Sequence, residues 1–295
     1  MKYRDYQLEI IDKGVSVIKT HRFVYLSMQV RTGKTLTAMG IGLKLCIENM
    51  LFVTKKKAIS SIENDYNKLK PPYNLTCINY ESLHKVTGKF DLIVLDEAHS
   101  MGALPKPSKR AKLVKELVKL NDPYVILMSG TPTPESFSQM YHQVYVCPQN
   151  PFNAYKNFYS FARDYVNVFQ KTINSYPVNV YLDGKQSILD EMKPYMISYT
   201  QKEAGFKVKT KEKVLKVKMK DVTYDLIKRL KKDLVIEGQK TDEVILADTG
   251  VKLMSKIHQL YSGTVKFESG KSQVIDLSKA EFIRTNFKNK KLGIF

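Results

Sequence analysis

The sequence predicts an α/β protein built on a doubly wound parallel sheet, and three observations carry that expectation. First, nearly unbroken apolar runs recur along the first half of the chain: "FVYLSM" (23–28), "MLFVT" (50–54), "LTCINY" (75–80), "FDLIVL" (90–95) and "YVILMS" (124–129). Short runs without polar alternation fit strands covered on both faces, as in parallel sheets. Second, stretches with apolar residues at helical spacing lie between them. Third, the polar motifs fall directly after the apolar runs, where an open α/β sheet places its ligands.

In chain order, the strand at 23–28 leads into Gly33-Lys34-Thr35. There Leu36, Met39 and Leu43 recur at helical spacing, and Ala38, Ile41 and Leu45 widen the stripe. The strand at 50–54 is followed by a helical pattern through Ile59, Ile62 and Tyr66. Beyond about residue 150 the texture changes to the aromatic-rich "FNAYKNFYSFARDYV" (152–166). A turn signal, "LDGKQS", precedes a helix expected over 187–195. The segment "FKVKTKEKVLKVKMK" (206–220) alternates lysine with apolar or threonine residues, which predicts a half-exposed strand. Lys207, Lys209, Lys211 and Lys213 would share one face; Lys216, Lys218 and Lys220 would continue as a second run, anchored by Leu215, Val217 and Met219. A helix is expected over 221–236. The predicted organisation is an N-terminal domain over 1–150, a connecting region over 151–275, and the start of a further domain over 276–295.

The chain has 295 residues, 43% of them hydrophobic and 26% charged, the profile of a globular protein. No apolar run approaches the roughly 20 residues of a membrane-spanning helix. The opening "MKYRDYQLEI" puts charge where a secretory signal carries its apolar core. Cys46, Cys77 and Cys147 lack the spacing of a zinc site or disulfide framework, so a reducing cytoplasm is the expected setting. The net charge of +19 points to a polyanionic partner such as nucleic acid, or to a lysine-rich surface of the kind an AT-rich genome encodes. Only seven of the 48 basic residues are arginine, which keeps both readings open.

The stretch "SMQVRTGKT" (27–35) ends as the phosphate-binding pattern G-x-x-x-x-G-K-[ST] does, with Met28 in place of the first glycine. Its strand–loop–helix context suits an anion, because N–H groups and the helix dipole converge at the helix start. Asp96 directly follows "LIVL", where a magnesium-binding aspartate stands in such proteins. Mg²⁺ is typically held by one or two carboxylates, phosphate oxygens and water. Thr35 and Asp96 are the expected metal contacts, Lys34 the phosphate contact, and Glu97 the group that would position and deprotonate a water.

At "DEAH" (96–99) and "SGTP" (129–132) the sequence resembles the superfamily 2 helicases and DNA translocases, most closely the Swi/Snf-like ATPases of phages and bacteria. The likeness extends over nearly the whole chain, and it implies a RecA-like lobe, ATP and Mg²⁺ as cofactors, and DNA more than RNA as partner. "YRDYQLEIID" (3–12) looks like the family's R-P-Y-Q entry, which implies that Gln7 reads the adenine edge. "QVRTGKT" (29–35) is similar to the form of motif I in phage members, which also lacks the first glycine; Arg31 and Thr32 then join Gly33, Lys34 and Thr35 around the nucleotide. "LFVTKKKAISSIEND" (51–65) and "INYESLH" (78–84) resemble segments that lie along the nucleic-acid backbone, so Thr54, Lys55, Tyr80 and Ser82 become expected contacts. "LMSGTPTPE" (127–135) matches motif III, which implies that Ser129, Thr131 and His99 couple nucleotide state to DNA grip. Lys216, Lys218 and Lys220 are added as expected phosphate contacts on charge density.

"MKPYMISYTQKE" (192–203) resembles the family's L-K-P-F-x-x-R-R-x-K-x-E segment but has Ser198 and Tyr199 where the arginines stand. "HQLYSGTVKFESG" (258–270) looks like the stretch leading into the second RecA-like lobe, and "KAEFIRTNFKNKKLGIF" (279–295) like that lobe's first helix and strand. No Q-x-x-G-R-x-x-R occurs, so an arginine finger is expected from a second lobe or a partner chain. Two functions follow: the N-terminal portion of an ATP-dependent helicase or translocase, or a nucleotide-gated nucleic-acid-binding module without efficient turnover.

Overall fold

The computed structural model describes residues 2–173, 176–206, 212–238, 243–289 and 291–293. The chain divides into two compact units, Met1–Val208 and Lys209–Phe295.

The first unit opens with helix α1 (Asp5–His21), followed by β1 (Phe23–Met28), α2 (Lys34–Lys44), β2 (Asn49–Thr54), α3 (Ile59–Leu69), β3 (Asn74–Asn79) and β4 (Leu92–Leu95). Next come α4 (Lys109–Asn121), β5 (Tyr124–Ser129), α5 (Met140–Val144), α6 (Phe158–Tyr165), the hairpin β6 (Phe169–Ile173) and β7 (Tyr176–Val180), α7 (Ser187–Met192) and β8 (Met196–Tyr199). Six strands form one parallel sheet in the order β3-β2-β4-β5-β1-β8. The apolar runs are strands for the reason their sequences suggest: alternate residues go to opposite, equally covered faces. Phe23, Tyr25, Leu51, Val53, Ile93, Leu95, Val125 and Leu127 pack into one core. Val24, Leu26, Met50, Phe52, Leu92, Val94, Ile126 and Met128 pack into the other.

Three differences from expectation have physical causes. Helix α1 follows from Ile10, Ile11, Gly14 and Ile18, a buried stripe at 3–4 residue spacing that the entry motif overshadowed. In α2 the buried side is Thr37, Ala38, Met39 and Ile41, while Leu43 is 37% exposed. Glycines at 40 and 42 explain the shift: side chains of neighbouring elements fill the space a Cβ would take, Ile11 over Gly40 and Met50 over Gly42. Finally, the sheet takes its edge strand β8 from beyond residue 150, pairing Tyr25 with Met196 and Met28 with Tyr199. The compact unit therefore runs through Val208 rather than ending near 150.

The second unit contains α8 (Asp221–Asp233), β9 (Val235–Glu237), β10 (Val244–Leu246), α9 (Gly250–Tyr261), β11 (Thr264–Lys266), β12 (Ser272–Val274) and α10 (Ser278–Asn286). Its core is Ile227, Leu230, Ile236, Ile245, Ala247, Leu260, Val265 and Phe267. Asp276 ties its start to its end, accepting from Lys220 N and Thr223 Oγ1 at 2.7 Å each and from Ser278 N at 2.8 Å. The expected strand over 206–220 is not present among its described residues: 212–220 are irregular, Leu215 is 41% exposed, and only Met219 is buried. Without a partner strand, alternation alone does not make a ladder. Lys207, Lys209 and Lys211 lie outside the described residues. Among the described residues no helix is long and apolar enough to cross a membrane.

Candidate active site

The polar side chains converge where β1, β4 and β5 end. The loop after β1 turns at Arg31 (φ 65°) and Gly33 (φ 83°), both in the left-handed region, and delivers α2. At Gly33 an added Cβ would lie 2.3 Å from Gln7 Nε2, so glycine is required for both conformation and space. Gly33 also gives α2 no side-chain cap, which leaves the N–H groups of its first turn for another acceptor.

Lys34 reaches back from that turn, its Nζ donating to Met28 O at 2.9 Å. Burial pushes its ammonium pKa down, while Asp96 and Glu97 pull it back up. Beside it stands Gly130, where a Cβ would come within 3.6 Å of Lys34 Nζ. At the end of β4, burial raises the Asp96 carboxyl pKa; a 2.8 Å hydrogen bond from Thr54 Oγ1 to Asp96 Oδ2 opposes that shift. Tyr80 OH donates to Asp96 O at 2.7 Å, so the chain at Asp96 is held from the ends of both β2 and β3.

Glu97 sits at φ 51° in the left-handed region, an unusual conformation for a non-glycine residue that turns its carboxylate away from the strand path. Its Oε2 is 3.2 Å from His99 Nδ1, and the same Nδ1 is 2.9 Å from Ser129 Oγ. Ser129 Oγ also accepts from Thr131 N at 3.1 Å. Behind it, the fully buried Tyr25 donates to Gln143 Oε1 at 2.7 Å, and Gln143 Nε2 donates to Pro132 O at 2.7 Å. The loop after β5 is thus joined to the acidic loop after β4 through one serine and one histidine.

A cleft of about 320 Å³ opens between these groups, lined by Gln29, Val30, Glu97, Gly130, Thr131 and Gln201. Its far wall comes from the turn after β8: Gln201 N donates to Gln29 Oε1 at 2.7 Å and Gln201 Nε2 to Val30 O at 2.9 Å. Tyr199 stacks on Tyr6 with ring centroids 4.6 Å apart, and Tyr6 OH donates to Thr32 O at 3.0 Å. The arrangement can hold an anion at the α2 start, a hard cation at Asp96, and a water beside Glu97.

The sequence profile of the SNF2-related domain matches residues 27–275. The chain belongs to the SNF2-related domain family. Two solved structures share the SNF2-related fold with it, both from Sulfolobus solfataricus and both 14% identical. The SWI2/SNF2 ATPase core in complex with dsDNA superposes with a TM-score of 0.54, covering 88% of this chain and 58% of that one. The SWI2/SNF2 ATPase core domain gives 0.51, covering 88% and 57%. The chain thus spans somewhat over half the length of either. No curated protein sequence matches it.

Within this SNF2-related unit, Gly33, Lys34, Thr35, Asp96, Glu97, His99, Ser129 and Thr131 all lie on the loops that follow β1, β4 and β5. Thr32 is fully buried and its hydroxyl donates to Gln29 O at 2.6 Å, so its side chain serves the loop itself. Arg31 is exposed. Gln7 is 3% exposed; its Oε1 accepts from Arg4 N at 2.9 Å and its Nε2 donates to Gly33 O at 3.3 Å, which leaves one N–H for any ligand. Two of the expected nucleic-acid contacts have buried side chains. Thr54 is 0% and Tyr80 2% exposed, and both hydroxyls are spent on Asp96. Lys55, Lys216, Lys218 and Lys220 are exposed, and Ser82 is half-buried.

Sequence reasoning missed Gln29, Tyr25, Gln143 and Gln201. A tyrosine inside an otherwise aliphatic strand and glutamines flanking motifs were the available signals. Among the described residues, no three His, Cys, Asp or Glu side chains gather as a self-sufficient metal site.

Proposed function

We propose that this chain is the ATP-binding portion of a DNA translocase or helicase motor. The observation that carries the reading is the placement of Lys34: a half-buried cation on an uncapped helix start, opposed by Asp96 and Glu97 across the strand ends. A lysine drawn into a burial that lowers its pKa, with first-turn N–H groups beside it, is matched to an anionic ligand.

The residues fit Mg-ATP. The Asp96 carboxylate stands partly exposed at the end of β4, steadied by Thr54 Oγ1 on Oδ2 and by the backbone of Glu97. A single carboxylate plus the Thr35 hydroxyl is the sparse protein set that Mg²⁺ accepts when phosphate oxygens and waters complete its shell. Bound Mg-ATP would supply the phosphoanhydride to be cleaved. Lys34 contributes positive charge to the phosphates and Gly33 lets the backbone approach. Asp96 and Thr35 hold the metal, and Glu97 orients and takes the proton of the attacking water. His99, bridging Glu97 and Ser129, relays the state of that site to the loop after β5.

Nucleic acid is the proposed partner, supported by the +19 charge and by the dsDNA bound to the similar Sulfolobus structure. Lys55, Ser82, Lys216, Lys218 and Lys220 are the proposed contacts. On this reading 276–295 begins a second RecA-like lobe, which would supply the arginine finger.

Titration calorimetry with Mg-ATP tests the site. Lys34→Ala should abolish measurable binding, and Glu97→Gln should bind as well as the parent while losing any turnover that duplex DNA stimulates. Undiminished binding by Lys34→Ala would refute the assignment. Binding with no turnover under any nucleic acid, in the presence of an intact second lobe, would favour the nucleotide-gated module instead.

A further inference from the structure

Four adjoining clefts on the first unit share their walls. The largest, about 580 Å³, lies between α6 and the strand β7 and is lined in part by Lys156, Tyr159, Arg163, Asn179 and Tyr181. A second, about 180 Å³, shares Lys156, Asn157 and Tyr159 with it and adds Lys106 and Tyr145. A third, about 240 Å³, shares Lys156 and Tyr145 and adds Lys115 and Tyr155. The fourth, about 250 Å³, shares Lys115 and Tyr145 and adds Lys119. Among the described residues, no aspartate or glutamate lines any of them.

An acid-free groove is notable even on a basic protein, since the chain carries 29 acidic residues, and Asp12, Asp190 and Asp248 among them pair with lysines elsewhere. Lys106, Lys119, Lys156 and Arg163 are exposed and make no ion pair among the described residues. Asp164, next to Arg163 in sequence, is engaged by Tyr155 OH at 2.9 Å. Tyrosines alternate with the cations: Lys115 Nζ lies 3.4 Å from the Tyr145 ring centroid, and Tyr159 is 47% exposed and meets Tyr181 edge-on at 6.1 Å. Cations interleaved with accessible rings and with the amides of Asn157 and Asn179 suit a ligand that alternates phosphates with planar, hydrogen-bonding groups. A duplex keeps its bases stacked inside and offers the rings nothing, and an acidic polypeptide has charge without the planes.

We propose that this groove binds single-stranded nucleic acid, separately from any duplex engaged by the motor surface. The inference does not depend on the nucleotide site. It is tested with the 295-residue chain by fluorescence anisotropy of a labelled 20-nucleotide oligo-dT across a salt series. Each lysine or arginine on a phosphate contributes about 0.7 to the slope of log affinity against log salt for a single strand. Lys106→Gln, Lys156→Gln and Arg163→Gln together should flatten the slope by about 2. Tyr159→Ala should weaken binding about tenfold with the slope unchanged, and Tyr159→Phe should restore it. Duplex binding should be unaffected by either set, and Lys34→Ala should leave oligo-dT binding intact. Should the triple variant misfold, Arg163→Gln alone should flatten the slope by about 0.7. An unchanged slope in a folded variant overturns the proposal. So does a parallel loss of duplex binding, or a neutral Tyr159→Ala together with equal competition by polyglutamate, which would assign the groove to an acidic polypeptide.

Discussion

Thr54→Val replaces the hydroxyl that holds Asp96 with a methyl of nearly the same size. Thr54 is fully buried, so the valine leaves no room for a water where the donor stood, and the partly exposed carboxylate at 2.8 Å loses its side-chain partner. A hydrogen bond to a charged group contributes about 1.5–3 kcal/mol, against about 0.5–1.5 kcal/mol for a neutral pair. For a unit of this size each kcal/mol moves the unfolding midpoint by about 2–4 °C, so the variant should melt about 3–12 °C below the parent near pH 7. The pH dependence gives the sharper check. Burial raises the folded pKa of Asp96 above its ordinary 3.8. The folded state therefore holds the proton at pH values where the unfolded chain has released it. Its stabilising contribution is complete below pH 3.8 and declines as pH rises through the folded pKa, then levels. Removing the hydroxyl weakens the ionised form further and extends that decline to higher pH. Asp96→Asn removes the titration, so it should raise the midpoint at pH 7 while removing the carboxylate proposed to hold the metal. In the Asp96→Asn background the Thr54→Val cost should fall by about half, to that of a neutral hydrogen bond. Thermal unfolding of the four proteins followed by circular dichroism at pH 4 and pH 7 measures all of this. Equal Thr54→Val costs in both backgrounds and at both pH values would show that Thr54 acts by packing alone.

Two further outcomes are expected. Gln201→Ala removes the 2.9 Å bond to Val30 O but keeps the backbone bond to Gln29, so Mg-ATP affinity should fall only about 2- to 12-fold; calorimetry showing no change would detach the turn after β8 from the site. Replacing Lys216, Lys218 and Lys220 by glutamine should flatten the salt dependence of duplex DNA binding by about 2–3, equally for unrelated sequences, and an unaltered slope would return this segment to an ordinary solvated surface.

The core of the fold was legible because its strands have no polar alternation. "LIVL" and "YVILM" could only be covered on both sides, and they stand side by side as β4 and β5. The site was legible for a related reason. Its residues lie within a few positions of strand ends, so sequence order fixes their neighbourhood. What escaped notice depended on distant pairings. The segment "MISY" carries a short, partly polar pattern that becomes a strand only because β1 offers it an open edge. The lysine-rich stretch at 212–220 shows the converse, a good alternation with no edge to join. Burial of hydroxyls escaped for a different reason. Thr54 and Tyr80 are typical loop-facing residues by type, and only the placing of Asp96 beside the ends of β2 and β3 gives both hydroxyls an inward partner.

That burial changes how the proposed motor would connect DNA to nucleotide. Each of two loops, after β2 and after β3, has one residue turned in and a near neighbour left outward. Thr54 and Tyr80 grip Asp96, while Lys55 and Ser82, one and two positions on, remain accessible. If DNA phosphates draw on Lys55, the displacement reaches Asp96, the proposed metal ligand, through a single residue rather than through a long chain of packed side chains. The two neighbours should therefore separate in experiment. Lys55→Gln should weaken duplex binding and lower its salt slope by about 0.9, leaving the unstimulated turnover rate as it was. Thr54→Val should leave duplex affinity intact yet reduce the stimulation of turnover that duplex DNA produces, because the grip on Asp96 is lost while the phosphate contact is kept. If Thr54→Val weakened duplex binding as Lys55→Gln does, with stimulation unchanged at saturating DNA, the inward residue would be part of the DNA surface after all and the proposed link would fail.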